Sequence, residues 1–160
     1  MDAAIRRAAC LGDEFIISAM QRRDDIPRML SVYHDELRRL GHDPAVKVTV
    51  LNRIVHVFPD RAAKQAALDF FGERFLRLYD IWGHQNVTGR DPAAVSLAQV
   101  SQDHFIIGEV AECVELTARY AALGIAEIAC LMNIGGPDLE AAERSMRLFA
   151  KCVMPCLATG

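Results

Sequence analysis

The chain has 160 residues, of which 52% are apolar and 24% charged. That balance supports one globular domain, residues 1–160, with a real core, and excludes a disordered chain. The net charge of −3 comes from interleaved acidic and basic residues, with no basic stripe bearing aromatic partners, so nucleic acid is not an expected partner.

In chain order, DAAIRRAACLGD carries apolar residues at helical spacing and stops at Gly12. EFIIS is a short β-rich run. DDIPRMLSVYHDELRRLG then reads as a helix with Asp24 or Asp25 at its cap, Pro27 in its first turn, and Arg38 and Arg39 ahead of a stop at Gly41. VKVTVLNRIVHVF is rich in β-branched residues and reads as a strand. DRAAKQAALDFFGERFLRLYDIWG reads as a long helix capped by Asp60. From His84 to Asp103 no clear period is present, which marks a long loop. HFIIG is the third strand, EVAECVELTARYAALG a helix with a Gly stop, IAEIACLMNI the fourth strand, and GPDLEAAERSMRLFAKCVMP the last helix, ended by Pro155.

Four strands alternating with helices imply an α/β fold with parallel strands and right-handed crossovers. Such a sheet is either a small open one or a partial TIM barrel, half of an eight-stranded (β/α)8 barrel. Half a barrel leaves strand edges and one side of its core bare, so a second copy or a partner chain is expected.

No apolar stretch approaches the roughly 18 residues of a membrane span, and no membrane partner is expected. The N-terminus lacks the apolar core and cleavage site of a secretory signal. Five cysteines, Cys10, Cys113, Cys130, Cys152 and Cys156, follow no framework spacing. They read as reduced thiols of a cytoplasmic protein. Cys152 and Cys156 are one helical turn apart with no His nearby, so they read as small apolar residues and no metal is expected.

Four segments carry a family resemblance. AAIRRAACLGDEFI is similar to the pattern AxRRAARLGDGW. RIVHVFPDRAAKQAA is similar to REVYVAxDxxxA, and HFIIGEVAECVELTARYAALGI to xFIIGSPEECVERLARYxALGV. LMNIGGPDLEAAERSMRLFAKCVMP is similar to xxxWPGMPxExxLRSMELFAREVMP. In this order the chain resembles the C-terminal half of the bacterial luciferase-like, flavin-dependent monooxygenases. The resemblance implies a (β/α)8 barrel of about twice this length, reduced FMN or a deazaflavin as cofactor, and oxygen activated at the flavin to oxidise an organic substrate. A flavin reductase is a further partner it implies. Two departures stand out: Glu109-Val110 replaces the family's Ser-Pro after the strand Gly, and Ile134-Gly135-Gly136 replaces its Trp-Pro-Gly.

In a parallel α/β barrel, function collects at the C-terminal ends of the strands. The residues there are Ser18, Ala19 and Met20; His56, Phe58 and Pro59; Gly108 and Glu109; and Asn133 to Gly136. Asn133 and the Gly135-Gly136 pair are candidates to line a cofactor pocket, because glycines let a ring or phosphate approach the backbone. Their plainer role is to start the last helix. His56 is read as the only ionisable side chain inside the second strand. It is the catalytic candidate, as a base or a hydrogen-bond partner of a flavin, and its plainer role is that of a packed, half-buried histidine. Gly108 and Glu109 join strand to helix where a cofactor phosphate could bind. Glu109 itself suits the helix dipole, and its charge repels a phosphate. His104 opens its strand and belongs at the opposite face. Asp13 fits a turn, and Trp82 a packing role beside the long loop. His34, His42 and His84 read as surface positions.

Three readings follow. One is a truncated member or subunit of a flavin-dependent monooxygenase whose barrel a second chain completes. Another is a non-catalytic luciferase-like binding or assembly protein. The third is an incomplete gene product whose true start lies upstream of Met1. The substrate is not legible.

Overall fold

The computed structural model describes residues 1–45, 47, 49–65, 104–133 and 139–157. Helix α1 (Asp2–Leu11) buries Ile5 and Ala9, one turn apart, and ends at Gly12 in an extended conformation. Strand β1 (Phe15–Ile17) follows. Helix α2 (Ile26–Arg39) has Pro27 in its first turn and buries Ile26, Met29, Leu30, Tyr33 and Leu37. That is a stripe at helical spacing, and it faces the sheet. Phe15 of β1 stacks on Tyr33 with ring centroids 4.7 Å apart. Asp25 occupies the cap position of α2 but makes no capping bond. A 3₁₀ turn over Arg23–Asp25 leads into the helix, and the Asp25 carboxylate instead accepts from Gln21 Nε2 at 2.9 Å. The α2 exit is as read. Gly41 has φ +80°, and the Gly41 and His42 N–H groups close back on the carbonyls of Arg38 and Leu37. Only Gly takes that conformation cheaply.

Strand β2 (Thr49–Phe58) is the centre of the sheet. It pairs in parallel with β1 along Thr49–Leu51, with β3 (Phe105–Glu109) along Ile54–Phe58, and with β4 (Glu127–Leu131) along Val50–Ile54. Val50 and Leu51 have partners in β1 and β4 at once, so both edges of β2 are in use there. The α/β parallel sheet of a half barrel is therefore present. The pairing has its own detail: β3 reaches only the C-terminal half of β2, and β4 pairs with β2.

Alternation along β2 gives it two different faces. Leu51, Val55 and Val57 enter a core with Ile17, Ile106, Cys113, Tyr120, Ile125 and Val153, so this face lies under the helices. Val50, Asn52, Ile54, His56 and Phe58 point the other way, into what would be the barrel interior. Register adds Ile16, Phe105, Ile107, Glu127, Ala129 and Leu131 to that second face. Ile16 is 64% exposed and Leu131 46% exposed, so part of this apolar face lies open.

Helix α3 (Val110–Ala122) packs on β3 and ends like α2, with Gly124 at φ +84°. Helix α4 (Leu139–Leu148) runs into a π stretch, Phe149–Val153, and then α5 (Met154–Leu157). Pro155 does not end the last helix, as the sequence suggested; helical backbone continues to Leu157. A proline ring clashes with the carbonyl four residues back in α geometry. The wider π register just ahead of Pro155 relieves that clash and lets the helix pass it. Among the described residues, no helix is long and apolar enough to cross a membrane.

Glu36 ties α1 to α2. Its buried carboxylate accepts from Arg6 Nη1 at 2.7 Å and from Arg39 Nε at 3.0 Å. The bonds to Arg39 and then Arg6 hold its pKa down at about 2. A folded value below the unfolded one means that this stabilisation is complete above the ordinary carboxylate range and is lost as pH falls toward 2. Glu36→Gln should lower the melting temperature at pH 7 and flatten its further fall between pH 5 and pH 3. Parallel acid profiles for variant and wild type would show that Glu36 is not the group responsible.

Candidate functional site

The C-terminal half of β2 and the β3–α3 turn bring three of the candidate residues together. His56 stands opposite Ile107 and Phe58 opposite Glu109. His56 is half-buried on the interior face, and its ring lies 4.6 Å from that of Phe58 at an interplanar angle of 41°. Two repeats of the strand earlier on the same face is Asn52, opposite Ala129. The Asn52 Oδ1 atom is buried and accepts no hydrogen bond. A buried acceptor without a donor costs on the order of 1–3 kcal/mol, so this face is chemically incomplete as it stands. Asn52 went unnoticed in the sequence. Its signal was there: a polar residue in a β-branched strand, four residues from His56 and so on the same face.

Gly108 faces the other way. It pairs with Val57 on the helix-covered side. A Cβ added there would lie 2.5 Å from Glu112 Oε2 and 2.8 Å from Glu112 Cβ. Glycine is thus required by the close approach of α3. Glu109 is the N-cap of that helix and forms a reciprocal capping box with Glu112. The Glu112 carboxylate accepts from the Glu109 N–H at 2.7 Å and from Lys64 Nζ at 2.7 and 2.8 Å. The Lys64 bond, followed by that from the Glu109 backbone, holds the Glu112 carboxyl below its usual range against a partial desolvation cost. Lys64 itself sits one turn after Asp60, whose side chain caps the Ala63 N–H at 2.8 Å, as the sequence suggested.

Beneath this turn lies Cys113, fully buried, with Sγ 3.6 Å from the Gly108 carbonyl oxygen. Burial, then the Glu112 charge, pushes its thiol up to about 12. That is the reverse of what a nucleophilic cysteine needs.

His56 is not the only ionisable side chain inside β2: Arg53 is a second. It is fully buried on the helix side. Its Nε donates to the Tyr120 hydroxyl at 3.1 Å, and its Nη groups donate to the carbonyls of Ser18, Ala19, Gln21 and Asn52 at 3.0 to 3.2 Å. Arg23 Nε donates to the same hydroxyl at 3.3 Å. Desolvation pulls the Arg53 pKa below its ordinary value. The carbonyls of Ser18 and Ala19, expected at the mouth of the barrel, are thus committed to holding β1 against β2.

Asn133 is exposed, two residues past the end of β4. Ile54 pairs with Leu131, so the register carried two residues on would set Asn133 opposite His56. Gly135 and Gly136 lie outside the described residues, as do Trp82, His84 and the loop that follows. His104 precedes β3 and is buried. Among the described residues, no three His, Cys, Asp or Glu side chains converge as metal ligands.

No protein-family model matches the chain, and no curated protein matches it. Solved structures do. The monooxygenase RslO1 from Streptomyces bottropensis aligns with a TM-score of 0.70 and 19% identity over 97% of this chain and 45% of its own. The oxygenating constituent of 3,6-diketocamphane monooxygenase from Pseudomonas putida, solved with FMN, aligns at 0.68 and 20% identity over 95% of this chain and 45% of its own. An F420-dependent secondary alcohol dehydrogenase, solved with an F420–acetone adduct, aligns at 0.64 and 17% identity over 98% and 46%. These are luciferase-like TIM barrels, and this chain has the fold of one half of them. It spans less than half the length of each.

Two outcomes follow from the turn. At pH 8 a maleimide should label Cys10 and Cys156, which are exposed, and leave Cys113 unmodified until the chain unfolds, as read by peptide mass mapping. Gly108→Ala should cost about 1–3 kcal/mol in denaturant unfolding, because Glu112 must leave its place. A variant as stable as wild type would show that the approach of Glu112 is not tight.

Proposed function

We propose that the chain is one half of a luciferase-like oxidoreductase barrel that uses a reduced flavin or deazaflavin with an organic substrate, in the cytoplasm. The other half comes from a second polypeptide, either a second copy or a partner chain. The observation that supports this most directly is the incomplete interior face of β2. It is apolar, is flanked by the exposed Ile16 and Leu131 of the neighbouring strands, and carries the unpartnered Asn52 acceptor on the same face as His56 and Phe58. A mostly apolar surface with a few convergent polar groups is what a cofactor ring requires.

A flavin-type ring fits this face. Asn52 Oδ1 would accept from a ring N–H at one end of the ligand, and His56, about 13 Å further along the strand with Phe58 against its ring, would hydrogen-bond the other end or move a proton beside it. Asn133, with Gly135 and Gly136, would line the rim. Reduced flavin, when bound, supplies the electrons that activate oxygen. The residues of this chain orient it and keep water from the apolar side.

The second reading, a luciferase-like binding or assembly protein without catalysis, is favoured by the β3–α3 turn, where carboxylates occupy the place of a cofactor phosphate.

A titration with oxidised and then reduced FMN, with the mass in solution measured in the same buffer, tests the proposal. Binding of reduced flavin by an oligomer is the expected result. Asn52→Ala should weaken it about three- to tenfold, the worth of one hydrogen bond. No binding in either redox state would leave the assembly reading in its place.

A further inference from the structure

We infer that the anion cradle at the start of α3 is filled from within by Glu112, so that this chain takes no ligand phosphate at the β3–α3 turn and recognises a flavin-type ligand by its ring. For its ligand the inference rests on the proposed function; the sealing of the turn stands on geometry alone.

A strand that ends in Gly and enters a helix offers free backbone N–H groups and the positive end of the helix dipole. In this chain the offer is already taken. The Glu109 N–H is bound to the Glu112 carboxylate at 2.7 Å, and the Glu109 side chain returns a bond to the backbone of Glu112. Lys64, the cation that would help hold a phosphate, has both of its described bonds on Glu112, at 2.7 and 2.8 Å. The space left by the absent side chain of Gly108 is filled by Glu112 as well, with Oε2 2.5 Å from the Cβ position. Lys64 pairs with Glu112, and Arg61 adds a more distant positive charge. A phosphate would have to expel Glu112 and then face Glu109.

The test uses inorganic phosphate as the probe, on the full chain at constant ionic strength. In wild type, the amide resonance of Glu109 should not move saturably as phosphate replaces chloride. In Glu112→Gln, which keeps a capping acceptor but loses the charge, it should move saturably, with an affinity about tenfold or more above wild type, as expected on removing a like charge at contact distance. Glu115→Gln, on the same helix but paired with Arg119, should behave as wild type. Saturable movement in wild type overturns the inference, as does a Glu112→Gln protein no better at binding phosphate. The wild-type measurement stands even where the variant fails to fold. A parallel titration with riboflavin and FMN separates the two ideas. Failure of both flavins removes the proposed function and leaves the phosphate result intact. Selective tightening of FMN over riboflavin in Glu112→Gln supports the inference.

Discussion

Everything in this structure hangs on the parallel pairing of β2. Among the described residues each of the other strands is bonded to it, β1 and β4 along its first half and β3 along its second. A strand of ten residues can do this because its partners are short and share its length. The arrangement also fixes the two faces. Once Leu51, Val55 and Val57 are committed to the helices, the period of two sends Asn52, His56 and Phe58 to the interior side. No separate device aims the candidate site.

Arg53 shows what that commitment costs. Its odd position puts a guanidinium on the helix side, in the core. Burying a charge is expensive unless its donors are satisfied. Among the described residues the satisfaction comes from four carbonyls and a phenol. Three of those carbonyls belong to the segment after β1, which has no strand partner to take them. The arginine and the end of a three-residue strand thus answer each other: the strand stops early, and the carbonyls that follow it are bonded by a neighbour's side chain, that of Ser18 in addition to the Gln21 N–H.

Much of this was legible. The strands, the Gly stops at Gly41 and Gly124, and the Asp60 cap follow from local rules, because a φ near +80° or a free N–H is a local demand. The half barrel followed from the alternation of elements and from the family patterns. Three things were not legible, for a shared physical reason. The roles of Arg53, Asn52 and Glu112 depend on which face a residue takes or on what another element brings to it. For Arg53 the sequence shows only a charge in a β-branched run. The passage of the helix across Pro155 likewise depends on a π register that the packing of Val153 in the core sustains.

The β3–α3 turn joins these threads. The same Gly-to-helix geometry that favours a phosphate also favours a carboxylate three residues into the helix, and the two compete for one place. Intramolecular filling has the entropic advantage, since Glu112 is tethered and needs no capture from solution. Lys64 adds a charge-assisted bond that further fixes it. With the turn closed, the interior face still offers the buried, unbonded Asn52 acceptor and the exposed apolar side chains Ile16 and Leu131. On the proposed function, recognition by this half of a barrel would be directed to a flat, mostly apolar partner that brings a hydrogen-bond donor. A ring would meet that description, and so would the inner face of a complementary half barrel, so the proposed cofactor binding and association would draw on one surface.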